Sequence, residues 1–328
     1  MTIAPNLPGI WHSPVYETAA IAFDCIPKSV THNLSATALM PRSFVLSKLR
    51  NPYIIKRIFV ERLTEPLHLN LISLFIAIGG STRSKIAFDL ITRQHLAFGL
   101  LRAADDAKQL GITKVTAVEF GVATGAGLFN MCEIARRVTV ATGIEFSIVG
   151  FDSGTGMPPA RDYRDHPEYF TAGDFPSDAD AIKRRLPSNA QLIVGDVAHT
   201  VPEFVRALHP SSPLGLAVID VDYYWSTKEC LPVFLGPPEC YLPVTTVYLD
   251  DVEFSGMNKW CGELLAIEEF NAEQTHRKIA PMNFLRPGRI FRNAKWIDHM
   301  FSLHVLDHPV RSTVRSAGSP AIIANPYL

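Results

Sequence analysis

The chain has no hydrophobic run long enough to cross a membrane, no paired cysteines and almost no excess charge of either sign. Its most apolar stretch, residues 71–80, is far shorter than the roughly 20 residues a span needs. No basic-then-apolar start marks a secretory signal. A cytoplasmic protein with no membrane partner is therefore expected, with residues 71–80 forming a buried helix or one at a subunit interface. Cys25, Cys132, Cys230, Cys240 and Cys261 are scattered and none stands in a C-x-x-C pair, so neither a zinc site nor a disulfide framework is indicated. With 31 Lys+Arg against 32 Asp+Glu, the net charge of −1 argues against a backbone-bound nucleic acid. Repeats and low-complexity tracts are absent. What is present suffices for a folded protein: 47% hydrophobic residues can bury a sizeable core, and 328 residues allow one large or two smaller domains.

Residues 1–85 carry Pro5, Pro8, Pro14, Pro27, Pro41, Pro52 and Pro66 and lack regular alternation. They read as a partly helical N-terminal extension, a cap or an oligomerisation arm, ahead of a domain at 86–328. Residues 86–110 predict a helix, since Leu90, Leu96, Leu100, Leu101 and Ala104 recur near a period of 3.6 and Gly111 supplies a stop. Apolar strand-like runs then alternate with amphipathic segments: strands at 115–120, 146–151, 191–194, 214–221 and 244–249, and helices after Gly127 and at 179–186, 201–208 and 256–273. Ser226 or Thr227 is a candidate N-cap for a further helix. Two last strands are expected, at 279–284 or 289–291 and at 300–306. The alternation predicts an α/β fold with a doubly wound, mostly parallel seven-stranded sheet.

The strand-like runs end in glycine or acid. Val118 to Gly127 reads V-E-F-G-V-A-T-G-A-G, and its Gly121 and Gly125 permit a tight turn next to a ligand, with helix N–H groups following. This is not the G-x-G-x-x-G of a dinucleotide site. Glu119 at the strand end would repel a pyrophosphate but suits a ligand with an ammonium group, such as S-adenosylmethionine. Asp152 ends the second strand, where a carboxylate can accept from ribose hydroxyls; a turn or cap role is the alternative. Asp196 follows Gly195, placed to receive an adenine amino group or to make an Asx-turn. Asp220 and Asp222 share one face of a strand, and Asp250 and Asp251 end another. Four such carboxylates repel one another unless a cation intervenes, and all-oxygen ligation suits Mg²⁺. Otherwise these acids cap helices and pair with Lys228 or Lys259. Tyr163, His166 and Tyr169, in the long loop 158–176, are either acceptor contacts or surface residues. Trp260 and Phe270 are expected on the long helix, in core or interface.

The segments Glu119–Gly125 (E-F-G-V-A-T-G), Phe151–Pro158 (F-D-S-G-T-G-M-P), Asp220–Thr227 (D-V-D-Y-Y-W-S-T) and Asp250-Asp251 resemble the macrocin O-methyltransferase family across about residues 90–275. Its members are class I S-adenosylmethionine-dependent methyltransferases that act on sugar hydroxyls of natural products. The resemblance implies Mg²⁺ on Asp220, Asp250 and Asp251, with Asp222 as general base. It also implies a donor pocket of Glu119, Gly121, Asp152 and Asp196, with the adjoining Thr124, Gly125, Ser153 and Val197. A small-molecule acceptor and a homo-oligomer are implied as partners. The segment after the second strand lacks the aromatic and acidic pair typical of the family, and loop 159–176 and the tail beyond 275 differ from it too. A nicotinamide-dependent oxidoreductase is the rival that also uses Asp152, but it gives no reason for Asp250-Asp251. A catechol- or phenol-directed methyltransferase fits the same residues.

Overall fold

The computed structural model describes residues 58–253 and 258–313. Seven strands make one sheet: β1 (Lys114–Phe120), β2 (Glu145–Asp152), β3 (Ala190–Val194), β4 (Leu214–Ile219), β5 (Tyr241–Leu249), β6 (Arg277–Pro281) and β7 (Met300–Val305). Their order is β3-β2-β1-β4-β5-β7-β6. The first five run parallel, and β7 is antiparallel to both β5 and β6. The expected doubly wound α/β sheet is thus present, and its order reverses between β1 and β4. Ligand crevices of such sheets open at this reversal, beyond the strands' C-terminal ends.

Period-two alternation explains how the sheet buries both faces. Val115, Ala117, Ile148, Leu216 and Val218 point to one face, packed by α3 (Gln94–Gln109), α4 (Ala126–Thr142) and Ile182 of α5 (Ala179–Arg185). Val118, Phe120, Phe151, Ala217, Ile219 and Val247 point to the other. There α6 (Val197–Ala207), α7 (Tyr224–Cys230) and α8 (Gly262–Glu273) cover them.

Several expected boundaries shift, each for a local reason. The helix expected at 86–110 is two helices, α2 (Thr82–Ala87) and α3, because Asp89 (φ 51°) and Arg93 (φ 56°) adopt left-handed backbone between them. Arg289 holds that break, donating to Asp89 Oδ1 at 2.6 Å and to the Ile86 carbonyl at 2.9 Å. Helix α6 starts at Val197 rather than 201, capped by Asp196, whose Oδ1 accepts from Ala198 N at 2.9 Å. The last strands are β6 and β7. Phe284 lies outside both, exposed, ahead of the one-turn α9 (Leu285–Gly288).

Neither Ser226 nor Thr227 caps α7, since both lie inside it. The cap comes from sixty residues earlier: Asp165 Oδ1 accepts from Trp225 N at 3.1 Å. Helix α8 begins at Gly262, so Trp260 precedes it and is exposed, while Phe270 is buried as expected.

Residues 71–79, with Gly80 as the C-cap, fall within α1 (Leu67–Gly79), a helix without a charged residue. Within the single chain it is not buried: Leu67, Leu71, Leu74, Phe75 and Ile78 are exposed. Among the described residues no helix is long and apolar enough to cross a membrane. Cys132, Cys230, Cys240 and Cys261 are free thiols, and Cys25 and most of the 1–85 extension lie outside the described residues.

Candidate active site

Strand register creates the site. Ile219 and Leu249 pair at the ends of β4 and β5, and Asp250 N donates to the Ile219 carbonyl at 3.1 Å. The residues one step beyond, Asp220 and Asp250, must therefore emerge side by side. Asp220, Asp250 and Asp251 each place a carboxylate oxygen within 4.8 Å of the others. Such a set of carboxylate oxygens is of the hard-donor kind that Mg²⁺ takes. Asp250 is the exposed member, open to water or substrate oxygens, which a Mg²⁺ site normally retains.

Among the described residues no Lys, Arg or His forms an ion pair with Asp220, Asp222, Asp250 or Asp251. The lysines that sequence pattern offered as their partners are engaged elsewhere: Lys228 with Glu269 at 2.7 Å, Lys259 with Glu268 at 3.2 Å. Burial, and then the neighbouring acids, raise the Asp220 and Asp251 carboxyls well above their ordinary range and lift Asp222 to about 6. Asp222 adopts left-handed backbone (φ 59°), and its N–H donates to Asp251 Oδ2 at 3.1 Å. Such a conformation costs a non-glycine residue roughly 1 kcal/mol or more and persists only where the surroundings impose it.

Sequence reasoning missed four contributors. Glu263 of α8 is fully buried; its Oε2 accepts from Asp251 N at 3.0 Å while Oε1 has no hydrogen-bond partner. Tyr248 donates its hydroxyl to Asp250 Oδ1 at 2.6 Å. Tyr248 and Asp250 stand two apart at the end of β5, so period two gave this contact a signal. The same rule fails for Asp220 and Asp222, because β4 stops at Ile219 and Asp222 turns into left-handed backbone. His95 stacks on Tyr248, and burial lowers its imidazole to about 3, so it is neutral. Arg93, at the start of α3, opposes the charge of both Glu119 and Asp220.

The acids expected to hold a donor sit on the other side of the sheet reversal. Glu119 is 3% exposed, and its Oε2 has no hydrogen-bond partner. Burial first, then Asp250 and Asp152, push its carboxyl up to about 8 against the opposing field of Arg93. Gly127 makes room for it: a Cβ there would stand 1.8 Å from Glu119 Oε1. Gly121 is equally constrained, with φ +83° and the Asp220 carbonyl 1.7 Å from where a Cβ would lie.

Asp152 is wholly engaged. Oδ2 accepts from Val122 N and Ala123 N at 3.0 and 2.8 Å, and Oδ1 from Gly154 N and Ser177 Oγ at 2.7 and 2.8 Å. These four donors match the lone-pair capacity of a carboxylate. Asp196 is a helix cap with an exposed side chain, and Val197 opens that helix. Gly125 is the left-handed residue before α4, beside the exposed Thr124. Ser153 Oγ donates to the Gly156 carbonyl at 2.9 Å.

Loop 158–176 packs against α7. Asp165 is fully buried, accepting from Arg161 N at 2.8 Å and capping Trp225. Arg164 lies over the rings of Tyr224 and Trp225. His166 is buried beside Gly262, and Phe170 meets the Tyr223 ring at 5.9 Å, so the loop reaches the flank of Asp222. Tyr163 and Tyr169 remain exposed.

No protein-family model matches the chain, and no curated protein does. Solved structures do. One described as "CalS11, Calicheamicin Methyltransferase" is 20% identical, covering 66% of this chain and 87% of its own, with a TM-score of 0.41. The O-methyltransferase NovP is 18% identical over 55% of this chain and 72% of its own, with a TM-score of 0.40. The plantazolicin methyltransferase BpumL, solved with SAH and a substrate analogue, is 10% identical over 76% and 91%, with a TM-score of 0.26. These neighbours are methyltransferases; at such identities the likeness does not extend to chemistry.

Proposed function

We propose that the chain is an S-adenosylmethionine-dependent O-methyltransferase of a small-molecule hydroxyl, with Mg²⁺ held by Asp220, Asp250 and Asp251. One observation carries this reading: carboxylates from neighbouring strand ends converge with no ion-pair partner among the described residues, next to a buried acid, Glu119, at the sheet reversal. A pyrophosphate ligand is disfavoured there, whereas the ammonium of a methionyl group matches Glu119.

In methyl transfer the acceptor oxygen forms a bond to the methyl carbon as the C–S bond breaks in line, and the hydroxyl proton must leave. In this reading Glu119 receives the donor's ammonium. Asp152 receives the ribose diol in exchange for Ser177 Oγ, and Asp196 with Val197 borders the adenine. Bound Mg²⁺ supplies alignment of the acceptor hydroxyl and a lowered pKa for it. Asp222 takes the proton, help typically worth ~10²–10⁴ in rate. Loop 158–176 and Tyr223 wall the acceptor side and exclude water. Vicinal hydroxyls, on a sugar or a catechol, suit a site that offers open cation positions. The uncharged α1, with its exposed apolar side chains, serves as the contact of a homo-oligomer, which light scattering tests.

The direct test is calorimetric titration with S-adenosylhomocysteine and, separately, NAD, followed by transfer of labelled methyl to panels of sugar diols and catechols with and without Mg²⁺. Binding of S-adenosylhomocysteine alone, and Mg²⁺-dependent transfer, are expected. Binding of NAD in its place overturns the reading.

A further inference from the structure

Tyr248 of β5 stacks with two histidine rings from other elements, beside the candidate cation site. Tyr248 is 6% exposed, and its ring stacks on His95 of α3 at 3.9 Å with 13° between planes. Its other neighbour is His299, immediately before β7, at 5.7 Å and 20°. His299 is itself fixed, with Nδ1–H donating to the Leu249 carbonyl at 2.9 Å. Two elements distant in sequence, α3 and the segment before β7, therefore clamp one phenol ring, and its hydroxyl donates to Asp250 Oδ1 at 2.6 Å.

Asp250 differs from its neighbours in needing such a clamp. Asp251 is gripped through its backbone by Glu263 and through its carboxylate by Asp222 N. Asp220 is half-buried. Asp250 is exposed, and a solvent-facing carboxylate rotates among several orientations unless something stops it. The Tyr248 hydroxyl is the side-chain hydrogen bond that does so.

We infer that Tyr248 is a positioning residue for divalent-cation binding: its phenol, held by the His95 and His299 rings, pre-orients the Asp250 carboxylate toward Asp220 and Asp251. This rests on the cation reading of those three carboxylates. Partners that orient a metal ligand are typically worth 10–100-fold in affinity. A hydroxyl needed only for packing would have no such effect.

The experiment compares Mn²⁺ affinity of the full-length protein and Tyr248→Phe, read by electron paramagnetic resonance of free Mn²⁺, together with thermal unfolding in chelator. The ring and both stacks survive this substitution. A loss of affinity of about tenfold or more, with little change in Tm without metal, is expected. Unchanged affinity in Tyr248→Phe, beside a wild type that binds Mn²⁺, overturns the inference and leaves the cation reading standing. A wild type that binds no Mn²⁺ overturns both. If the Phe variant does not fold, His95→Leu takes its place, since it removes one plate of the clamp and keeps the hydroxyl. Weakened Mn²⁺ binding then supports the inference, and wild-type binding overturns it.

Discussion

Asp152 and Asp220 end strands of one sheet, each an acidic residue following an apolar run, yet the fold treats them in opposite ways. Asp152 receives four hydrogen bonds from its own chain and braces the glycine turn. Asp196, next along that edge, caps a helix. Across the reversal, Asp220, Asp250 and Asp251 crowd together with no ion-pair partner among the described residues, and Glu263 keeps an unpaired oxygen. Glu119 belongs by position to the first group and by environment to the second. A carboxylate supplied with donors braces the fold and can take a ligand only by exchanging one of them; a buried one left without them keeps its desolvation cost uncompensated, which marks a candidate binding group.

The largest expected effect breaks the unsatisfied side. Asp250→Asn or Asp220→Asn removes a ligand charge and should lower metal-dependent kcat by about a thousandfold or more, several kcal/mol of transition-state stabilisation. Affinity for S-adenosylhomocysteine should stay near that of wild type. Rates equal to wild type in the presence of chelator would dissolve the distinction between the two sides.

Glu119→Gln should weaken S-adenosylhomocysteine binding by roughly tenfold while making the free protein more stable near neutral pH. The sign follows from the raised carboxyl. Its folded value is about 8 against 4.5 for the free side chain, so its contribution to stability is complete below about 4.5 and is lost as pH rises toward 8. Arg93, Asp250 and Asp152 are the charged groups that act on it. The drop in Tm between pH 5 and 8 should be shallower in the Gln variant; an identical slope would place the burden on other acids.

Mg²⁺ sharpens the comparison without mutation. At 100 times its Kd it should add about 2.7 kcal/mol, raising Tm by several degrees in wild type and scarcely at all in Asp250→Asn. The smallest effect belongs to the satisfied side: Asp196→Ala removes a helix cap and should cost about 1 kcal/mol, or roughly 2 °C in Tm. A much larger loss would show that Asp196 does more than cap.

Much of this was legible before any coordinates. Period-two apolar runs located the strands, and the acids at their ends located the crevice, because parallel strands buried on both faces must be continuously apolar until they emerge. Adjacent strands in register then bring Asp220 beside Asp250. Local pattern could not show the break between α2 and α3. The residues around it are as apolar as the helices, and Arg289, which holds Asp89 in place, is 200 positions away. Nor could it show that Asp165, and not Ser226 or Thr227, caps α7, since a cap from a distant loop leaves no mark near the helix.

Sequence alone determined where carboxylates would gather, since hydrophobic periodicity and strand register are local properties summed along the chain. Which of those carboxylates would be satisfied was decided only by tertiary structure. Their hydrogen-bond donors and the rings that clamp Tyr248 arrive from elements tens to hundreds of residues apart. The energy of a buried charge depends on what stands within a few ångströms of it, not on its neighbours in the chain.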